Sequence, residues 1–151
     1  MAIEFETQVR IGRPIDAVFA MLADVERWPA WLIATGIRRV QIVGGGPLVG
    51  GSKLVIDQSA AGRAATIDAE VSAMEAPTRF AVKGRDPEGI TTEIEARLSA
   101  DGPITVLDWR LRIGLPLRFR MFEGLAAPQV RRAAALDLEA FKQRLESVAS
   151  G

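Results

Sequence analysis

The sequence predicts a single α+β domain in which a curved antiparallel sheet of seven strands packs against a long C-terminal helix. Apolar and polar side chains alternate over residues 3–11, a pattern typical of a half-buried strand. Residues 37–113 continue with strand-like stretches separated by turn signals, and the tail after about residue 117 has apolar residues at helical spacing. A chain of 151 residues is long enough to bury one core, so we expect one domain spanning residues 1–151.

Two short helices are predicted directly after the first strand. Pro14 suits the first position of a helix, because its fixed φ angle fits there and its missing N–H is not needed. Asp24 is predicted to cap the second helix, which carries Trp28 and Trp31, and Gly36 is predicted to end it. The apolar face of the first helix consists of Ile15, Val18, Phe19 and Leu22.

Six further strands are predicted from alternation and from the glycine- and proline-containing turns between them. Their ranges are 37–43, 53–59, 64–74, 79–85, 90–99 and 104–113. The glycine-rich segment 44–51 is predicted to be a flexible hairpin loop. The order Gly51-Ser52-Lys53 does not match a phosphate-binding loop, and Val49 replaces the last glycine of a dinucleotide motif. We also consider this loop as a lid over a binding pocket.

The C-terminal tail is predicted to be helical, with Pro128 as its problematic residue. Pro128 either begins the main helix or kinks a helix that starts near Arg118. We favour a short first segment that carries Phe119 and Phe122, followed by a long helix that begins at Pro128. Its apolar stripe is Val130, Ala134, Leu138, Phe141, Leu145 and Val148, and Asp137 is assigned to its polar face.

Two segments resemble a known family. Pro14-Ile15-Asp16-Ala17-Val18-Phe19 and the stretch from Leu22 to Trp31 resemble the START-like (SRPBCC) superfamily, most closely its polyketide cyclase/dehydrase branch. Gly50-Gly51-Ser52 is similar to the glycine that this family places after its second strand, and residues 138–146 are similar to its closing helix. The resemblance covers essentially the whole chain. It implies the helix-grip fold, with a pocket between the sheet and the terminal helix, but it leaves the function open.

Composition excludes several classes of function. The chain has no cysteine, histidine or tyrosine, which removes thiol chemistry, the commonest general base and the commonest metal ligand. We therefore expect no metal and no cofactor. With 19 basic and 19 acidic residues, the chain lacks the charge of a nucleic-acid binder. No apolar stretch is long enough to span a membrane and no signal peptide is recognised, so we expect a soluble, cytoplasmic protein.

Strand parity predicts an apolar pocket with almost no titratable groups. The acidic residues fall on the outer face of the sheet or in caps and turns, Asp86 among them, so we expect no catalytic residue. Gln58, Thr92 and the indole N–H of Trp109 face inward, where they either bond within the fold or orient a ligand. The predicted ligand-binding residues are Trp31, Gln58, Phe80, Thr92, Ile94, Trp109, Leu111, Phe119, Phe122 and Val130.

Three functions remain open. The first is binding, without catalysis, of a lipid, acyl, isoprenoid or polycyclic aromatic molecule, by a monomer or weak homodimer. The second, which the resemblance implies, is a polyketide aromatase/cyclase or dehydratase that folds its substrate. The third is a protein-interaction module with a vestigial pocket. The missing histidine and tyrosine favour the first.

Overall fold

A computed structural model describes residues 2–60 and 62–149 of the protein. In chain order, the elements are β1 (Ala2–Ile11), α1 (Ile15–Ala23), the 3-10 helix η1 (Val25–Ala30), β2 (Ile37–Ile42), β3 (Lys53–Ala60), β4 (Arg63–Glu75), β5 (Arg79–Arg85), β6 (Thr91–Asp101), β7 (Ile104–Gly114), the 3-10 helix η2 (Leu117–Phe122) and α2 (Glu123–Ala149). None of the helices in this part of the chain combines the length and apolar character needed to cross a membrane.

The seven strands form one antiparallel sheet in the order β1-β7-β6-β5-β4-β3-β2. Strands β2 to β6 each pair with the next strand along the chain. Strand β1 pairs with β7 over its whole length, from Ala2 opposite Gly114 to Ile11 opposite Thr105. The two short helices therefore carry the chain from one edge of the sheet to the other. The predicted α+β architecture, with a curved seven-stranded sheet and a long terminal helix, is confirmed.

The outer face of the sheet carries the charged side chains, as the alternation predicts. Glu95 of β6 stands opposite Arg110 of β7 in the register. Arg110 instead bonds to Glu6 of β1 at 2.6 Å, and Glu95 accepts from Arg97 of its own strand at 2.6 Å. Exposed ion pairs of this kind contribute on the order of 0–1 kcal/mol each, so they mark the solvent face without accounting for the stability of the fold.

The inner face carries an aromatic cluster that joins all the layers. Trp31 follows η1 and packs on Phe141 of α2, with ring centroids 4.6 Å apart, and on Trp109 of β7, with centroids 6.3 Å apart. Trp28 is buried beside it, and its indole N–H donates to the carbonyl oxygen of Leu22 at 2.9 Å. Aromatic rings bury large areas in a few contacts, so this cluster fixes the position of α2 on the sheet.

Asp24 does not cap η1 as the sequence predicts. Its backbone angles, φ −80° and ψ 69°, lie outside the extended region from which a capping side chain reaches back to the helix. Its carboxylate lies 3.5 Å from Arg27 instead, and its carbonyl oxygen accepts the N–H of Arg27 at 3.0 Å. The second short helix is thus a 3-10 helix that begins with a backbone hydrogen bond and has no side-chain cap.

The terminal helix begins five residues before the predicted start. The short first segment is confirmed as η2, but α2 starts at Glu123 and holds Pro128 inside it. A proline displaces the carbonyl four residues earlier, which here belongs to Gly124 in the exposed first turn. The first turn has few bonds to lose and Gly124 has no side chain to move, so the helix continues through the proline.

Phe141 tests whether the aromatic cluster supports the fold. We expect Phe141→Ala to lower the free energy of unfolding by about 3–5 kcal/mol, because this fully buried ring leaves a cavity under Trp31. Urea denaturation followed by circular dichroism measures the change. Phe122→Ala, at an exposed position of η2, is the control and should stay within about 0.5 kcal/mol of the parent. Equal effects would contradict this role for the cluster.

Candidate ligand-binding cavity

A cavity of about 460 Å³ lies between the inner face of the sheet and the first half of α2. This volume is in the range of small-molecule sites. Its lining residues are mostly apolar, and the exposed ones (Ala34, Arg63 and Gln129) mark where it opens to solvent. The sheet contributes Ile56, Ile67, Val82, Ile94 and Leu111, the helix contributes Ala126, Val130, Ala133, Ala134 and Leu138, and Trp31 and Trp109 also line it.

Small side chains keep this space open. The helix presents Ala133 and Ala134 to the sheet, where larger residues would fill the gap. On the sheet, Gly84 lets the side chain of Ile67 lie across β5, because a Cβ at Gly84 would come within 2.7 Å of Ile67 Cγ2. The aromatic cluster holds α2 above the sheet while the alanines leave the space beneath it unfilled.

Seven of the predicted ligand-binding residues line the cavity. They are Trp31, Gln58, Thr92, Ile94, Trp109, Leu111 and Val130. The strand residues among them were placed by parity, since alternate side chains of one strand share a face. Val130 was placed by the helical stripe of α2. The structure brings these residues together around one space, and their contact with a ligand stays a prediction.

Three predicted residues lie elsewhere. Phe80 faces inward, but it is buried in the core beneath α1 and η1, with its ring 6.2 Å from Phe19 and 6.3 Å from Trp28. Phe119 and Phe122 belong to η2, which precedes the part of α2 that covers the cavity. The prediction that Phe119 and Phe122 lie in a short helical segment is correct. The helical residues that cover the cavity come later in the chain, from Ala126 onward.

The glycine-rich loop is not a lid over this cavity. It joins β2 to β3 at the end where Ile42 pairs with Leu54, and none of residues 44–51 lines the cavity. Strand β3 then runs from Lys53 beside this loop to Ala60 beside the opening. The loop and the opening therefore lie at opposite ends of the same strand.

An ion pair that was not predicted lies at the cavity opening. Arg63 binds the buried carboxylate of Asp86 at 2.8 Å and that of Glu88 at 3.1 Å. Asp86 also accepts the backbone N–H groups of Glu88 and Ile90, as a turn aspartate does. Burial alone would raise the pKa of Asp86, but the bonds from Arg63 and from the backbone outweigh it and hold the pKa below its ordinary value.

A second carboxylate, Asp137 of α2, lines the cavity and is almost fully buried. It accepts the backbone N–H groups of Ala34 at 2.8 Å and Thr35 at 2.9 Å, and it bonds to the Thr35 hydroxyl. Gln58 Nε2 donates to the Thr35 carbonyl oxygen at 2.9 Å. Burial raises the pKa of Asp137, and these hydrogen bonds only partly oppose the rise, since no cation is among its partners.

The assignment of Asp137 to the polar face of the helix was wrong, as was the expectation of a cavity almost free of titratable groups. A signal was present, because position 137 follows Ala134 by three residues and precedes Phe141 by four. Residues at these spacings share a helix face. The identity of the residue, an aspartate, outweighed its position in the prediction. Its partner Thr35 lies in a loop, where no periodicity could indicate it.

Two buried hydrogen-bond donors of the cavity lining lack an acceptor. The indole Nε1 atoms of Trp31 and Trp109 bond to no acceptor in residues 2–60 and 62–149, although both residues line the cavity. Buried donors are normally paired.

The same part of the chain contains no group of three His, Cys, Asp or Glu residues placed to hold a metal ion. The polar groups of the cavity are therefore carboxylates, amides, hydroxyls, indoles and one guanidinium.

Comparison with known families decides where this fold belongs. Residues 2–146 match the family described as polyketide cyclase / dehydrase and lipid transport. The chain belongs to this family. The resemblance noted in the sequence is thereby confirmed. A comparison with curated protein sequences finds no match to the chain.

Solved structures share the fold at low sequence identity. The Zhui aromatase/cyclase from Streptomyces sp. R1128 is 19% identical, with a TM-score of 0.77 over 97% of this chain and 94% of its own. A START superfamily protein from Mycobacterium smegmatis is 18% identical, with a TM-score of 0.68 over 96% and 98%. The di-domain aromatase/cyclase StfQ of the steffimycin pathway is 13% identical, with a TM-score of 0.76 over 100% and 53%. These similarities show that the chain has the helix-grip fold.

The buried carboxylate of Asp137 makes the stability of the fold depend on pH. Its pKa is raised in the folded state, so its contribution to stability is fully present below the ordinary value of 3.8 and is lost as pH rises through the folded-state pKa. We expect Asp137→Asn to lower the free energy of unfolding most at acid pH and by a smaller amount toward neutral pH. Urea denaturation from about pH 3 to about pH 7 measures this difference. Asp68→Asn, at an exposed position, controls for the loss of one carboxyl, and a pH-independent cost for Asp137→Asn would contradict the burial argument.

Proposed function

We propose that this protein binds an elongated, uncharged hydrophobic molecule, such as a lipid alcohol, acyl ester, isoprenoid or polycyclic aromatic, in the cavity beneath α2. The observation that carries the proposal is an open cavity of about 460 Å³ whose walls are formed mainly by aliphatic and aromatic side chains. Removing apolar surface from water contributes roughly 25 cal/mol per Å² before the costs of association. Membership of a family of cyclases, dehydrases and lipid transporters agrees with such a ligand.

The spacing of the free polar groups supports an elongated shape. Gln58 uses its amide nitrogen on Thr35, which leaves its amide oxygen available, and the Thr92 hydroxyl has no partner in the described part of the chain. Gln58 lies on β3 and Thr92 on β6, three strand steps apart. Three steps span roughly 14 Å along a sheet. A ligand with a hydrogen-bonding group toward each end would contact both.

The charges around the cavity support an uncharged ligand. Arg63 is the cation of the lining, and it is already paired with Asp86 and Glu88. Asp137 adds a further carboxyl with no cation beside it. A ligand carboxylate would therefore meet no unpaired positive group and would pay the cost of leaving water. Hydroxyl and ester groups avoid this penalty.

A large side chain on α2 that fills the cavity should weaken ligand binding. We expect Ala134→Trp to weaken binding of the neutral probe N-phenyl-1-naphthylamine at least tenfold, because the indole would occupy the space that the ligand needs. Ala135→Trp is the matched control, since the neighbouring alanine is exposed on the same helix and should bind as the parent does. Probe fluorescence and displacement by neutral lipids, isoprenoids and polycyclic aromatics provide the measurement. Equal binding by both variants, or no binding by the parent, would contradict the proposal.

A second function, cyclisation or dehydration of a poly-β-keto chain, is favoured by Asp137. A carboxyl with a raised pKa beside an apolar cavity keeps its proton to a higher pH than a free carboxyl does, and it can exchange that proton with a substrate, as acid–base catalysis requires. The ionised form would take a proton from the carbon between two carbonyls. The protonated form would return it to the departing hydroxyl as water leaves. The open cavity, by contrast, gives no support to an interaction module with a vestigial pocket.

The enzymatic alternative has its own test. If Asp137 transfers protons, Asp137→Asn should reduce turnover of a poly-β-keto thioester mimic by about 10²–10⁴-fold while binding of the neutral probe is retained. Thr35→Val is the informative companion. It removes a hydrogen bond that lowers the pKa of Asp137, so the pH–rate profile should shift to higher pH. Turnover that is absent in the parent, or unchanged in Asp137→Asn, would exclude this function.

A further inference from the structure

Large exposed apolar side chains are concentrated beside the cavity opening. In η2 and the first turn of α2, Leu117, Met121, Phe122 and Leu125 are 78%, 79%, 51% and 74% exposed, and we call these four residues the mouth surface. Leu125 directly precedes Ala126, which lines the cavity. Four neighbouring apolar side chains turned to solvent are unfavourable unless a partner covers them, because their burial would release water from apolar area.

Unpaired arginines lie next to the mouth surface. Arg85, Arg118 and Arg120 line one exposed cleft with Pro116. Arg118 donates to the carbonyl oxygen of Glu88 and lies 4.8 Å from the ring centroid of Phe119. Among the described residues, no carboxylate pairs with any of the three guanidinium groups.

Two acidic residues are near enough to reduce this positive charge. Glu88 lines the same cleft, but its carboxylate is engaged with Arg63 at 3.1 Å. Glu123 follows Phe122 at the start of α2. Three arginines against these two carboxylates leave the region positive on a chain whose formal net charge is zero. The positive charge therefore coincides with the exposed apolar side chains.

We propose that the mouth surface and the arginine cleft together dock on an anionic phospholipid bilayer, with the cavity opening facing the lipid. Apolar side chains beside basic ones are the pattern of segments that lie at the membrane interface, where the apolar groups enter the acyl region and the cations meet phosphate. Guanidinium groups suit phosphate oxygens because their N–H donors match them in pairs.

This docking explains how a hydrophobic ligand would reach the cavity, a step that rests on the proposed function. An uncharged apolar molecule is scarce in water and concentrated in bilayers. Ala126 and Gln129 line the cavity one and four residues after Leu125 on the same helix. A mouth surface seated in lipid would let the ligand pass between the bilayer and the cavity without crossing bulk water. The docking itself requires no ligand.

Vesicle sedimentation with ligand-free protein tests the docking. We expect the protein to sediment with vesicles of equimolar phosphatidylcholine and phosphatidylglycerol, and to remain in solution with pure phosphatidylcholine. Salt at about 1 M should release it, because the attraction is then screened beyond about 3 Å. Equal binding to both vesicle types, or none to either, would overturn the proposal.

Paired variants separate the mouth surface from the rest of the protein. Arg85→Gln with Arg120→Gln should weaken binding to the anionic vesicles about fivefold for each arginine removed. Arg38→Gln with Arg39→Gln, which removes the same charge from exposed positions of β2, should leave it unchanged. Met121→Ser with Leu125→Ser should weaken binding at least about tenfold, whereas Val43→Ser with Val49→Ser should not. Equal losses for test and control pairs would contradict docking at this surface.

Two further measurements keep this proposal distinct from the proposed function and from other partners. The cavity-filled Ala134→Trp variant should bind anionic vesicles as the parent does, so a protein without ligand binding still tests the docking. Binding of poly-glutamate or inorganic phosphate with the same dependence on Arg85 and Arg120, together with no vesicle binding, would identify an acidic protein surface or a free anion as the occupant. That result would overturn membrane docking.

Discussion

The packing of Trp31 between the terminal helix and the sheet is the contact on which the rest of the structure depends. Trp31 contacts Phe141 of α2 and Trp109 of β7 at the same time, so it sets the distance between helix and sheet. Beyond this contact, α2 presents alanines and the sheet presents Gly84 and Ala69, and the two layers cannot close the gap. A well-packed aromatic end and an underfilled alanine end within one core produce the cavity.

The polar groups of the cavity follow from the same separation of layers. A buried carboxylate must be hydrogen-bonded or paired, and the two carboxylates meet this need differently. Asp86 is paired with Arg63, whereas Asp137 receives only neutral donors from Ala34 and Thr35. Asp137 therefore ties the loop after η1 to the roof of the cavity, and it keeps a raised pKa because no cation compensates for its burial. Asp86 is thus held in an ion pair at the opening, whereas Asp137 has no cation among its partners in the described part of the chain.

Periodicity predicted the elements and the faces of the strands, but it could not predict which element covers each residue. Alternation placed Thr92, Ile94 and Trp109 inward correctly, because a strand has only two faces. Phe80 has the same parity, yet it lies under α1 and η1, and strand parity contains no information on that. Asp137 shares a helix face with Phe141, so its burial was readable from spacing. Its partner Thr35 lies in an aperiodic loop and becomes visible only through tertiary contact.

The pairing of the first strand with the last has a consequence for biosynthesis. Strand β1 pairs with β7, with Ala2 opposite Gly114. Trp31 is made before Trp109 and Phe141, on which it packs across a long stretch of sequence. Contacts so distant in sequence delay folding, because a long loop must close before they form. The nascent chain must therefore keep the inner face of β1 and the Trp31 ring without these partners until β7 and α2 have left the ribosome.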